Sequence, residues 1–465
     1  MSSAASAHRL NIESHKKEPL DELTTRVVSP GETISAMNSV CRAIGVTRIS
    51  DITYLDRLYL PNYSVMLPGT EDSIWVYGGK GPTGPHAKAS AVMEAVERYS
   101  SLFTTYKKRL IQGSYFELSK SYRRVLHPAE VVEPVREIFD ENKSTIDFVA
   151  GYDLLNNEEV MVPAALVFSR YTPKNPVISA FRYSHTNGLA SGNVLEEAIC
   201  HALCEVIERD AVSIAELCSS SISYTILENI VDGLLESQSD KSTIIHAINH
   251  QFVDDSTIIP EVDISEAEEF EPLKFLIKRF KECEIPLLVK NISQDDIGIP
   301  TFAASSVEWI TDDYGYFARG YGCHPDSRIA LMRAITEVSQ TRASNIQGAR
   351  DDLKKIRYLH EDNLIERKWQ FVSGSENSKG VKFSDISTYL NKDLTDDIKI
   401  ILKRLKKAGL RRAIIVELTD QTIGVPVVRA VVPGLETFEV ATLFSDKGIQ
   451  IGNRAKRRFM KKLYP

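Results

Sequence analysis

A chain of 465 residues, 43% hydrophobic and 26% charged, has room for two domains or one large domain with insertions, and its composition is that of an ordinary globular protein. Its net charge of −7 excludes a global attraction to nucleic acid, so no nucleic-acid partner is expected. The six cysteines include no C-x-x-C pair, which excludes a zinc ribbon, and no apolar run approaches the ~20 residues of a membrane helix; low cysteine density and the lack of a signal peptide point to the cytoplasm.

In chain order, residues 1–22 are small and polar and read as a flexible N-terminus. RVVSPGETISAMNSVCRAIGV reads as a lead-in and a helix with Glu32 near its start. ITYLDRLYLPNYSVMLPG reads as strand, turn, strand, punctuated by Pro61 and Pro68. IWVYGGKGPTGPHAKASAVMEAVERYSS is strand, Gly/Pro-rich loop and helix, and FVAGYDL and EEVMVPAALVF follow as strands. SHTNGLASGNVLEEAICHALCEVIERDAV is again Gly-rich loop, then helix. Residues 219–300 read as a lobe or insertion, with the eight acids between Asp254 and Glu271 on its solvated surface. PTFAASSVEW is a strand, and GYGCHPDSRIALMRAITEVSQTRASNIQGARDD a third loop and helix. SENSKGVKFSD reads as a flexible loop, TDDIKIILKRLKKAG as an amphipathic helix closed by Gly409, and RAIIVELT and IGVPVVRAVVPG as strands. The tail from Arg454, RAKRRFMKK, has six Lys/Arg in nine residues and reads as a solvated helix end. Strands and helices mix without a strict βαβ repeat, which predicts a mixed α/β (α+β) fold.

One stretch recurs. AVMEAVER (Ala91–Arg98) and ALCEVIER (Ala202–Arg209) both read A-x-x-E-x-x-E-R. AITEVSQTR (Ala334–Arg342) keeps the first acid as Glu337 and replaces the second by Gln340. Each copy follows a glycine-bearing segment: GGKGPTG, NGLASG and GYGCHPD. A single E-x-x-E-R helix is more often a solvated, salt-bridged face than a site; a recurrence in the same setting is hard to assign to chance.

Residues three and four apart share a helix face, so Glu94 and Glu97 point one way, as do Glu205 and Glu208. Glu197 lies eleven residues before Glu208, about three turns, on nearly the same stripe. Apolar neighbours such as Val92, Val96, Leu203 and Ile207 pack much of the remaining circumference. If the three helices meet, Glu94, Glu97, Glu197, Glu205, Glu208 and Glu337 form a cluster that repels itself unless cations fill it. Oxygen donors without His or Cys suit Mg²⁺. Lys80 in GGKGPTG and the arginines Arg98, Arg209, Arg333 and Arg342 add contacts suited to phosphate, although the P-loop spacing is absent. Cys200 and Cys204 beside His201 read as helix packing, not metal ligation.

These residues resemble the YcaO family of ATP-dependent enzymes that modify peptide backbones. Its S-x-x-x-E-x-x-E-R is matched by Ser90, Glu94, Glu97 and Arg98. Its N-G-x-A-x-G with later acids is matched by Asn187, Gly188, Ala190, Gly192, Glu197, Glu205, Glu208, Arg209 and Asp210. Its R-A-x-T-E-x-x-Q-x-R is matched by Arg333, Glu337, Gln340 and Arg342; ITYLDRL, VPVVRAVVPGLE and GNRA extend the likeness from about Arg26 to Arg454. The resemblance implies a YcaO-type ATP-binding domain over residues 23–453, with 454–465 as a basic tail. It implies Mg²⁺ held by the six acids, and Glu94, Glu208, Arg333 and Glu337 in the catalytic step. It implies ATP contacts from Lys80, Ser90, Glu97, Arg98, Asn193, Arg209, Gln340 and Arg342. The implied reaction phosphorylates a peptide amide oxygen, after which a nucleophile attacks the activated carbon and phosphate leaves.

A substrate thiol or hydroxyl as nucleophile gives an azoline; external sulfide gives a thioamide. Azoline-forming members often end in a proline-rich tail, whereas this chain ends FMKKLYP and carries no fused N-terminal peptide-binding domain. It therefore resembles more closely the stand-alone archaeal members that work with a TfuA-type sulfur-delivery partner to thioamidate a glycine in methyl-coenzyme M reductase. The alternatives are an azoline-forming cyclodehydratase and a non-catalytic ATP-binding adaptor. A homodimer, the commonest assembly, is the expected state.

Overall fold

The computed structural model describes residues 10–17, 25–70, 75–102, 110–122, 124–131, 140–169, 171, 186–219, 259–311, 314–349, 358–360, 380–437 and 454–455. Helix α1 (Pro30–Ile44) opens at Ser29 with a capping box: the Ser29 hydroxyl accepts the Glu32 N–H, and the Glu32 carboxylate accepts the Ser29 N–H. Strands β1 (Arg48–Asp51), β2 (Asn62–Met66) and β3 (Val76–Lys80) form an antiparallel sheet in that order, and α2 (Gly84–Ser100) folds back onto it. The strand expected over ITYL is absent. Residues Thr53–Leu55 make a 3-10 turn, because the Asp51 carboxylate accepts the Thr53 N–H at 2.9 Å and bends the chain out of the extended form.

The chain continues through β4 (Ile111–Gly113), α3 (Tyr115–Ser121), β5 (Ile146–Asp153), β6 (Glu158–Pro163), β7 (Leu189–Ser191) and α4 (Leu195–Ser219). From residue 259 follow β8 (Val262–Asp263), α5 (Glu271–Glu282), β9 (Leu288–Asn291), β10 (Thr301–Thr311), β11 (Tyr314–Cys323), α6 (Ser327–Gln347) and β12 (Tyr358–His360). The last described elements are β13 (Val381–Lys382), α7 (Leu394–Lys407), β14 (Ile414–Glu417) and β15 (Val427–Val431). A second antiparallel sheet runs β4-β5-β14-β15-β7 with β6 on β5, and a third runs β12-β11-β10-β9. Helix α4 lies between them, packed on β7 and β15 on one side and on β11 on another. The core follows these layers: Ala198, Leu203 and Ile207 of α4 pack with Ile415, Val428 and Ala430 of the second sheet. Leu331, Ile335 and Val338 of α6 pack with Leu273, Leu276 and Phe280 of α5.

Each acidic helix follows a strand after a short link, residues 81–83, 192–194 and 324–326. Half of the glycines in GGKGPTG, NGLASG and GYGCHPD, namely Gly78, Gly79, Gly320 and Gly322, are therefore strand residues and not loop residues. A Cβ on Gly79 in β3 would stand 2.2 Å from the Ala87 carbonyl of α2, and one on Gly322 in β11 2.0 Å from the Ala330 carbonyl of α6. Glycine at these positions lets each strand lie against the helix that follows it.

Of the stretch read as a lobe or insertion, 220–258 lie outside the described residues. The remainder is built into the fold, since β9 pairs with β10 in the register Lys290↔Ala303 and α5 packs against α6. The N-terminus, expected to be mobile through residue 22, is held over residues 10–17. There the Glu13 N–H donates to Glu196, Lys16 forms a β-bridge with Asp393, and Lys17 pairs with Asp397. Most of SENSKGV also lies outside the described residues, while Val381–Lys382 pair in parallel with β8. Residues 456–465 of the basic tail are likewise outside them. Arg454, expected in solvent, is buried, and its guanidinium bonds to Asp210 at 3.0 Å and Asp296 at 2.7 Å. Among the described residues no helix is long and apolar enough to cross a membrane.

Candidate active site

Helices α2, α4 and α6 converge on one cavity of about 860 Å³. Glu94 and Glu97 reach it from α2, Glu197, Glu205 and Glu208 from α4, and Glu337 from α6. The predicted contacts Lys80, Ser90, Arg98, Asn193, Arg209, Arg333 and Gln340 also line it. Lys80 is the last residue of β3, not a loop residue, and its ammonium pairs with Glu337.

The acids are crowded and partly self-neutralised. Arg98 approaches Glu94 at 3.5 Å and Glu97 at 3.7 Å, and Arg209 approaches Glu205 at 3.9 Å. These contacts are long, and burial outweighs them. Burial pushes the Glu97 carboxyl well above its ordinary range; Arg98 opposes this, and Glu205 and Glu94 reinforce it. Burial also raises Glu205 against the pull of Arg209, and raises Glu208 to about 7 with Glu337 as the second cause. Five carboxyl groups crowd one cavity, and three of them, Glu97, Glu205 and Glu208, are raised by burial; such a set fits a divalent cation, which neutralises the carboxylates and removes the repulsion. The residues suited to hold Mg²⁺ are Glu94, Glu97, Glu205, Glu208 and Glu337.

Two expectations are corrected. Glu197 is not an open ligand: its carboxylate accepts the Val27 N–H at 2.7 Å, the Asn193 N–H at 2.8 Å, the Asn193 side-chain amide at 3.0 Å and an Arg26 guanidinium N–H at 3.2 Å. It clamps the lead-in segment to the link between β7 and α4, and Asn193 in turn accepts from the Thr33 hydroxyl at 3.0 Å. Arg342 does not line the cavity. Its side chain is buried elsewhere, forked onto Asp56 at 2.7 and 2.8 Å and bonded to Glu308 at 2.5 Å. The helical phase explains this: Arg342 stands five positions after Glu337, about 140° further round α6.

Among the lining residues not expected at the site are His201, Arg26 and Thr33. His201 was legible in principle, because it stands four residues after Glu197 and four before Glu205 on the same stripe of α4. Arg26 comes from the lead-in segment and Thr33 from the first turn of α1, far away in sequence, and neither carries a local signal. One further group of ligand-type side chains, Cys200, His324 and Asp397, is buried with its donor atoms within 4.8 Å of one another. His324 Nδ1 accepts the Asp326 N–H at 3.0 Å, so in the neutral ring the proton sits on Nε2. A protonated Nε2 cannot ligate a cation, and Asp397 already pairs with Lys17 at 2.5 Å, so this group is a buried polar cluster.

The family model described as YcaO cyclodehydratase, ATP- and Mg²⁺-binding, matches residues 78–436. An uncharacterized protein of Methanothermobacter thermautotrophicus is 34% identical over 421 residues, 89% of this chain and 96% of that one. An uncharacterized Rhizobium leguminosarum bv. trifolii protein, named for its place in the tfuA 3' region, is 29% identical over 436 residues, 92% of each chain. Among solved structures, the fold matches a heterocyclase in complex with substrate and cofactor at TM-score 0.70 and 21% identity, over 97% of this chain and 58% of that one. It matches YcaO from Methanopyrus kandleri bound with AMPPCP and Mg²⁺ at TM-score 0.65 and 22% identity, over 93% of this chain and 97% of that one. The fold is thus the YcaO-type ATP-binding fold, built of mixed helices and several sheets. The chain belongs to the YcaO family, whose members use ATP and Mg²⁺ to modify peptides.

Proposed function

We propose that this chain is a thioamide synthetase that phosphorylates a peptide amide oxygen with ATP and then replaces that oxygen by sulfur. The observation that carries the ATP half is the convergence of five carboxylates with Lys80, Arg98, Arg209 and Arg333 in one cavity. Phosphoryl transfer needs positioning and charge neutralisation more than covalent chemistry from the protein. When bound, Mg²⁺ supplies neutralisation of the triphosphate. Lys80, Arg98, Arg209 and Arg333 hold phosphate oxygens, and Lys80 exchanges its Glu337 partner for them. Glu197 and Asn193 keep the lead-in segment closed over the end of the cavity away from Glu205 and Glu208.

The bonds balance as follows. The amide oxygen forms a bond to the γ-phosphorus and ADP leaves. Hydrosulfide adds to the amide carbon, and the carbon–oxygen bond breaks to release inorganic phosphate, leaving C=S. The sulfur subtype draws support from the likeness to the tfuA-region protein over nearly the whole chain, which favours a TfuA-type protein as the sulfur-delivery partner. The enzyme is expected to act as a homodimer. The test incubates the protein with ATP, Mg²⁺, sulfide and glycine-containing peptides. A sulfide-dependent oxygen-to-sulfur mass change supports the reading. Loss of water from a Cys- or Ser-containing peptide without sulfide replaces it with the cyclodehydratase reading.

A further inference from the structure

We propose that His201 is a further nucleotide-binding residue, a neutral hydrogen-bond donor to the α-phosphate; this rests on the ATP reading above. His201 lines the cavity in the middle of the α4 stripe, between the Glu197 clamp and the Glu205/Glu208 carboxylates. At 1.5 Å rise per residue it stands about 6 Å along the axis from each. The cation-suited carboxylates lie at the Glu205 end, so the terminal phosphates belong there. The phosphate set back from them, toward Glu197, then lies opposite His201.

The tautomer follows from geometry. An Arg26 guanidinium N–H points at His201 Nδ1 at 3.4 Å, and a guanidinium can only donate. Nδ1 is therefore the acceptor, and the ring proton is on Nε2, leaving a donor for a ligand. Burial and the cations Arg333, Arg26 and Lys80 hold the imidazole pKa well below its ordinary value, so the ring is neutral near pH 7. A neutral N–H suits this position, because Arg26 and Arg333 already supply charge and a further cation would repel them. The feature also explains why a stripe of acids is interrupted by a histidine.

The experiment measures binding of ATP, AMP and adenosine by calorimetry to the full chain and to three variants. His201→Ala is expected to weaken ATP and AMP about tenfold, the cost of one hydrogen bond to a charged oxygen, and to leave adenosine unchanged. His201→Gln, whose amide N–H reaches the Nε2 position, is expected to restore AMP binding. His201→Asn, which keeps only the acceptor for Arg26, is expected not to restore it. Equal affinities in all variants overturn the proposal, as does a loss for ATP without a loss for AMP, or rescue by Asn rather than Gln. If the wild-type protein binds neither ATP nor AMP, the ATP reading falls as well, which separates the two failures.

Discussion

Glu197 and Glu208 lie on one face of one helix, eleven residues apart, and face the same cavity. Four donors surround the Glu197 carboxylate. Glu208 is raised to about 7 by burial and by Glu337, with cationic help only from Arg209 and Lys80. The same side chain is thus a structural clamp at one end of the stripe and, in the reading proposed above, a cation ligand at the other. Residue type and helical phase do not distinguish them; the donors brought in from residues 26–27 and 193 do.

The sharpest way to break this comparison is to remove the charge at each end. Glu208→Gln is expected to lower ATP turnover by at least a hundredfold in a phosphate-release assay, while the melting temperature stays level or rises because repulsion is relieved. Glu197→Ala is expected to do the reverse in stability. It removes the acceptor of one Arg26 guanidinium N–H and of the Val27 and Asn193 N–H groups, at a cost of about 3 kcal/mol measured by denaturant unfolding. A Glu197→Ala protein as stable as wild type would erase the distinction.

Two basic residues expected alike at the nucleotide, Lys80 inside the cavity and Arg342 outside it, allow a second test. Lys80→Ala is expected to raise the ATP Michaelis constant about tenfold, through loss of one charge-assisted contact. Arg342→Ala is expected to leave that constant near wild type among molecules that remain folded, yet to lower the melting temperature, because it strands the buried Asp56 and leaves Glu308 to its pair with Arg57.

The smallest effect concerns pH. The folded Glu208 carboxyl is raised above its ordinary 4.5, so the folded state binds the proton more tightly than the unfolded chain. The stability this contributes is fully present below about pH 4.5 and is lost as pH rises through about 7. Without Mg²⁺, the melting temperature is expected to fall by a few degrees between about pH 5 and 7.5. Added Mg²⁺ should reverse the fall, and Glu208→Gln should flatten it. A flat wild-type profile without Mg²⁺ would remove the ground for treating Glu208 as a strained ligand.

Much of the site was legible before any coordinates. All six acids expected at the cation site line the cavity, because a run of E-x-x-E on a helix packed around most of its circumference leaves one direction for charge. Lys80, Ser90, Arg98, Asn193, Arg209, Arg333 and Gln340 also reach the cavity. Arg342 was misread because a motif repeats in sequence while the helix keeps turning. Gly79 and Gly322 were misread because glycine serves a loop and a close strand–helix approach equally well.

The sequence by itself determined the three acidic helices, their oxygen-only donors and the chemistry such donors suit, since spacing of 3.6 residues per turn is a local property. It also determined the amphipathic helix closed at Gly409 and the late hydrophobic strands. Only the tertiary structure decided which acid is satisfied and which is not. That depends on donors contributed across long separations: Arg26 to Glu197, Arg454 to Asp210, Lys17 to Asp397. A carboxylate's role is set by the protons pointed at it and by its exclusion from water, and both are properties of packing rather than of order along the chain.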